Sequence, residues 1–200
     1  MRTEYDPTMT MSEARDRYFA INGFGPEGGY NDAWVDYKLG PIPAPVPNTA
    51  GRKRAVPFHD LHHVLTGYDT NTIGEFEISA WEIAAGCRDV AAAWALNLSG
   101  LAGGAIMAPR RVWRAFLRGR RMDTLYGRNL DELLGRTVAE VRALVTHDEP
   151  PTRARPGDIA LFALAVAAGF LVGSVLFGGM VLILPLSLSA YLLRRRAAAA

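Results

Sequence analysis

The sequence predicts an all-α fold: a helical soluble domain followed by a C-terminal transmembrane or re-entrant helical hairpin. Three observations carry that expectation. Apolar residues recur at helical spacing through most of residues 10–146. Residues 159–193, "IALFALAVAAGFLVGSVLFGGMVLILPLSLSAYLL", contain no charged side chain. The turn-rich and proline-rich stretches between the helical segments show no period-two alternation that would mark strands.

In chain order, "SEARDRYFA" opens the helical pattern, with acids among its arginines and no preceding apolar run. That composition argues against a cleaved signal or transit peptide. "NGFGPEGGYND" and "GPIPAPVPNTAGRKRAVP" bracket a short helical candidate, "AWVDYK". "FHDLHHVLT" is the next helix, followed by the turn residues "TGYDTN" and a long helical segment over 72–96. Within it Thr72 and Glu75 have the spacing of a capping box. "VAAAWALNLSGLAGGAIMAP" is uncharged, but Asn97, Ser99 and its glycines favour a core helix over a membrane span. Its small residues allow close helix packing or a groove for an apolar chain. "PRRVWRAFLRGRRM" and "NLDELLGRTVAEVRALV" complete the soluble part.

The domain organisation follows: residues 1–150 form the helical domain, 151–157 a linker, and 158–200 the membrane hairpin with its basic tail. One helix over 159–193 would be about 50 Å long, well beyond the hydrocarbon core of about 30 Å. A turn at Gly178 and Gly179 and an interruption at Pro185 would divide it into two shorter passes. Arg153 and Arg155 before the segment and Arg194, Arg195 and Arg196 after it place both ends, and the soluble domain, on the cytoplasmic side of a membrane anchor. A formal net charge of +2 gives no reason to expect nucleic acid as a partner. The single cysteine, Cys87, excludes an intramolecular disulfide and reads as a small buried side chain.

Three of the four histidines fall in "FHDLHHVLTGYDTNTIGE", residues 58–75. On a helix His59 and His63 stand one turn apart on one face, with Asp60 on the adjoining stripe. Glu75 opens the next helix, from which its carboxylate reaches back. Two imidazoles and two carboxylates suit a divalent metal: zinc first, with iron or manganese as alternatives. The bland alternatives are a chance histidine pair and a Glu75 that serves only as a cap. His62 points elsewhere on the helix, as a supporting or exposed residue.

The pattern His-Asp-x-x-His, eleven residues, then Glu resembles the signature of the ubiquinone biosynthesis protein family Coq four. "VWRAFLRGRRMDTLYGRNLDELLGRTVAEVRALV" is similar to that family's arginine-rich helix and closing Glu-Val-Arg helix, and "PIPAPVPNT" to its proline-rich lead-in. The resemblance covers roughly residues 10–146. It implies a helical fold and a divalent metal on His59, Asp60, His63 and Glu75. His62 departs from the pattern, where a large aromatic residue, usually tryptophan, is expected. The apolar tail lies outside the pattern and suggests a version tethered by its own anchor.

What the resemblance implies about activity is metal-dependent oxidative decarboxylation at ring carbon one of a polyprenylated hydroxybenzoate-type acid, with loss of the carboxyl as in a lyase. The implied partners are a polyprenyl quinone intermediate, membrane lipids, other quinone-biosynthesis proteins and a second copy of the chain. The alternative is a non-catalytic, lipid-binding scaffold that organises quinone-biosynthesis enzymes. A metal-dependent hydrolase with Asp60 or Glu75 as base ranks behind both. In "RRVWRAFLRGRR" Arg110, Arg114, Arg118 and Arg121 share a face opposite Val112, Trp113, Phe116 and Leu117. Such a basic amphipathic helix suits an anionic membrane surface, a plain packed surface helix, or one inward arginine holding a substrate carboxylate.

Overall fold

The computed structural model describes residues 3–39, 42–147 and 154–198. Among them eight helices and one two-stranded antiparallel sheet follow in the order α1 (Met11–Asn22), β1 (Trp34–Leu39), β2 (Ile42–Pro47), α2 (Ala50–Thr66), α3 (Thr72–Ala85), α4 (Ala91–Met107), α5 (Pro109–Gly119), α6 (Leu130–Leu134), α7 (Val138–Val145) and α8 (Pro156–Ala198). The helical class is as expected. Thr10 with Glu13 and Thr137 with Glu140 form reciprocal capping boxes that start α1 and α7.

α3 is the central helix, with α4 and α5 packed against it. Ile78 and Trp81 from α3, Leu101 from α4 and Phe116 from α5 are fully buried there, each contributing about 1.5–3 kcal/mol of apolar transfer. Small residues on α4 set the approach: a Cβ added to Gly104 would fall 2.6 Å from the Cβ of Phe76. α1 lies on α2, and α6 and α7 close the far side. Cys87 is buried, as its sequence context suggested.

Three expectations fail. "AWVDYK" is not a helix: Trp34–Leu39 pairs with Ile42–Pro47 in a hairpin, Trp34 opposite Pro47 and Val35 opposite Val46. Pro43, Pro45 and Pro47 fix φ in the extended region and push the residues before them there too. The intervening Ala44 and Val46 keep N–H groups for the ladder, so alternate prolines make an edge strand instead of a loop. The segment 72–96 is two helices, because Gly86 (φ 97°) and Arg88 (φ 48°) turn the chain between α3 and α4. Most importantly, the apolar tail is no hairpin.

α8 runs continuously through Gly178, Gly179 and Pro185. Its uncharged side chains favour unbroken internal hydrogen bonding over a turn that would expose backbone groups among apolar surroundings. Pro156–Arg194 is the one helix among the described residues long and apolar enough to cross a membrane, and this is compatible with membrane anchoring. The helix packs along α4 and reaches β2. Of the expected linker, residues 151–153 lie outside the described residues, while Ala154 and Arg155 are non-helical.

Candidate metal centre

α2 ends at Gly67, whose left-handed conformation (φ 73°) lets its N–H bond back to the carbonyl of His63. Residues 68–71 then reverse the chain, and Asn71 caps α3 by accepting from the N–H groups of Ile73 and Gly74. The cap is therefore Asn71 and not Thr72, which removes the capping-box explanation for Glu75. Gly74 lies against the turn so closely that a Cβ there would be 2.0 Å from the carbonyl oxygen of Asp69. That approach brings Glu75 back over α2.

His59 Nε2 and His63 Nε2 face each other at 3.2 Å. The Glu75 carboxylate spans the pair, with Oε2 at 3.4 Å from His59 Nε2 and Oε1 at 3.4 Å from His63 Nε2. Ligand atoms of His59, His63 and Glu75 lie within 4.8 Å of one another, so this cluster could hold a metal ion. The far side of each ring is already committed. His63 Nδ1 donates to the carbonyl of Tyr68 at 2.9 Å, and His59 Nδ1 donates to Glu82 Oε1 at 2.8 Å. In the neutral form that binds a metal, each ring keeps its proton on Nδ1 and presents its Nε2 lone pair to the same point. Two lone pairs and a carboxylate converging there are complementary to a cation, and Nδ1 bonding of this kind orients metal-ligating histidines. Burial by itself would lower the His59 pKa, but Glu82 and Glu75 outweigh it and hold it well above the usual imidazole value. Burial pushes Glu75 up, but hydrogen bonds to both rings bring it down to about 2.

Asp60 is placed differently. Its oxygens accept from the Tyr18 hydroxyl at 3.2 Å and the Tyr30 hydroxyl at 2.8 Å, and its carboxylate is not part of the three-residue cluster. Burial raises its pKa against the opposing pull of His59. Burial and Asp60 together push both phenols far above their usual value, which keeps them protonated as donors. Tyr18 also stacks on His63, with centroids 5.5 Å apart.

His62 is fully buried, not exposed. Its Nε2 accepts from the N–H of Leu125 at 2.8 Å, so its proton sits on Nδ1 and goes to Glu82 Oε1, also at 2.8 Å. Burial lowers its pKa. The ring lies 5.1 Å from Trp81 and 5.0 Å from Tyr126, filling a slot between two aromatics.

Glu82 is the residue sequence reasoning missed. Fully buried, it holds His59 and His62 on Oε1 and takes Asn97 Nδ2 and the Tyr126 hydroxyl on Oε2. Burial pushes its pKa up, but His59 and His62 overcome that and keep it ionised. Its signal was its position seven residues after Glu75, two turns along the same face of one helix.

The cluster opens into a cavity of about 420 Å³, walled by Tyr18, Phe24, Phe76, Ala93 and Leu96, with Arg52 at its edge. None of Arg110, Arg114, Arg118 and Arg121 lines it. Arg118 donates to the carbonyl of Thr66 at the end of α2 and lies over the Tyr68 ring, and Arg121 donates to the carbonyl of Leu117. Arg110 and Arg114 are exposed. The one arginine reaching the cavity comes from α2. Compared with known protein families, curated proteins and solved structures, the chain finds no match.

Proposed function

We propose that the chain is a metal-dependent protein of quinone synthesis that acts on a polyprenylated aromatic acid. In this reading the ring carboxyl leaves as carbon dioxide and a hydroxyl takes its place, one atom of dioxygen entering the ring and the other leaving as water with two protons and two electrons from a separate two-electron donor. The observation that carries it is the cation-complementary set of His59, His63 and Glu75, two of which line a largely apolar cavity, beside a helix compatible with a membrane. Zinc, iron or manganese suits two imidazoles and a carboxylate, with Asp60 close by to hold a coordinated group or join the ligands. Bound there, a metal supplies Lewis acidity and, if it is iron or manganese, redox chemistry. The chain's own residues orient the two rings through Glu82 and the Tyr68 carbonyl, fix the Asp60 carboxyl with two phenol donors, and wall the cavity with aromatic rings. Membrane lipids, other quinone-biosynthesis proteins and a second copy of the chain are the partners this reading implies, with the domain on the cytoplasmic side.

The test separates a catalyst from a scaffold. Glu75→Gln keeps one oxygen donor and removes a charge, so a folded, metal-loaded variant should fail to restore quinone synthesis in a deletion strain and should leave a carboxylated prenyl intermediate in the lipid extract. Full complementation by that variant would favour a scaffold that needs the metal only for shape.

A further inference from the structure

The most exposed large apolar side chains of α8 fall on one line. Leu164, Leu171, Val175, Leu182, Leu186 and Leu193 are between 66% and 80% exposed, and they follow one another at separations of seven and four residues. That spacing keeps them on a single face of a helix from near its start to near its end. The opposite face meets the rest of the chain along its first part, from Asp158 to Gly173, and again at Ser187 and Tyr191. Asp158 accepts from Arg120 at 3.1 Å. Phe162 packs edge-on against Trp113 and Phe116. At Gly169 a Cβ would fall 2.2 Å from the Leu98 carbonyl oxygen, and Gly173 lies over Ser99. Farther along, Ser187 donates to the carbonyl of Pro45, and Tyr191 meets Trp34 at 6.5 Å between centroids.

A helix standing across a bilayer cannot keep this arrangement. α8 contains 43 residues, which makes it about 64 Å long against a hydrocarbon core of about 30 Å. The inner contacts at Gly173 and Ser187 are separated by about 21 Å of helix, less than the hydrocarbon core, so a span would carry the part of α4 or β2 packed there into lipid with it. Laid flat, the same helix presents an uncharged face outward and keeps its inner contacts. Basic residues then sit at both ends of the strip: Arg155 at one, Arg194 and Arg196 at the other. Exposed Ile106 and Met107 on α4, followed by Arg110 and Arg114, continue the pattern of apolar surface with a basic rim.

We infer that α8 lies in the plane of the membrane, its outer face sunk into one leaflet of a lipid bilayer and its inner face on the domain, and does not span. This rests on the membrane attachment in the reading above but not on its chemistry.

The experiment uses the full chain in sealed membrane vesicles of uniform orientation. Ala154→Cys and Arg196→Cys, made singly, report the two ends to a membrane-impermeant maleimide; buried Cys87 stays in place and should label only after denaturation. Both ends are expected to label to the same extent from one face and not from the other. Nitroxides at Leu164→Cys, Val175→Cys and Leu186→Cys should favour oxygen over a water-soluble nickel complex, with depths within about 5 Å of one another. Ends labelled from opposite faces would overturn the inference in favour of a span. A mid-helix site much deeper than the outer two would overturn it in favour of a re-entrant loop, and water-accessible nitroxides throughout would remove the bilayer as the occupant. Metal content and quinone synthesis enter none of these readouts, so the proposed reaction can fail independently.

Discussion

Replacing Glu82 by glutamine preserves shape and removes the charge on which four donors converge. His59 Nδ1 and His62 Nδ1 share one oxygen, Asn97 Nδ2 and the Tyr126 hydroxyl the other. Glutamine offers one oxygen and one amide nitrogen. With the oxygen toward the histidines, Tyr126 can rotate its hydroxyl and Asn97 can turn its amide, so both become acceptors. The loss is then the exchange of a charged for a neutral acceptor at two imidazoles, about 1 kcal/mol each. Without that rearrangement two buried donors are stranded, at about 1–3 kcal/mol apiece. Destabilisation should therefore be about 2 kcal/mol with the rearrangement and about 4–8 kcal/mol without it, read from the urea midpoint of the metal-free protein. Metal affinity should fall by about 10–100-fold, the usual effect of losing a carboxylate behind a ligating histidine. A competition titration against a chromophoric chelator measures it. Wild-type affinity in a folded variant would refute the claim that Glu82 orients His59 for a metal.

In the metal-free protein Glu82 and Glu75 outweigh burial and hold the His59 pKa well above the ordinary imidazole value. The proton-linked stability of the metal-free fold is present below the ordinary imidazole value and lost as pH rises through the raised one. Metal must displace that proton, so affinity should rise about tenfold per pH unit below the raised value; calorimetry in two buffers of different ionisation enthalpy should count about one proton released, and a flat profile would contradict it. Gly74→Ala should cost about 1–3 kcal/mol through overpacking against the Asp69 carbonyl and weaken metal binding by displacing Glu75; normal stability with normal metal content would show that the turn yields freely. Gly169→Leu should lift α8 from α4 and speed amide exchange in α4, whereas Gly178→Leu, in open space, should not; equal exchange in both variants would deny the close approach.

The helices that carry the candidate cluster were legible because their signals are local. His59 and His63 are related by one turn of helix, and Glu75 follows a short turn whose glycine and asparagine announce themselves. What failed was decided elsewhere in the chain. β1 becomes a strand only because a proline-spaced partner lies opposite it, a tertiary choice that the residues of "AWVDYK" do not encode alone. Glu82 could be placed on the Glu75 face, but its role depends on Tyr126 and Asn97, far off in sequence. The spacing puts Asp60 beside the cluster, but its hydroxyl partners, from α1 and the segment before β1, are likewise distant in sequence. The glycine pair at 178–179 suggested a turn through intrinsic flexibility, yet nothing packs on either residue to make one, and the helix continues by default.

Neighbouring residues of α4 face in two directions: Ser99 meets Gly173 of α8, and Gly100 lines the cavity that His59 and Glu75 share. A single helix, about 10 Å across with its side chains, is thus all that separates the cavity from the apolar helix. A cavity of about 420 Å³ accommodates a ring and the first stretch of a tail. Under the proposed reading, everything farther along the tail would lie outside the protein, so discrimination would act on the head group and its first attached carbons while total tail length went unmeasured.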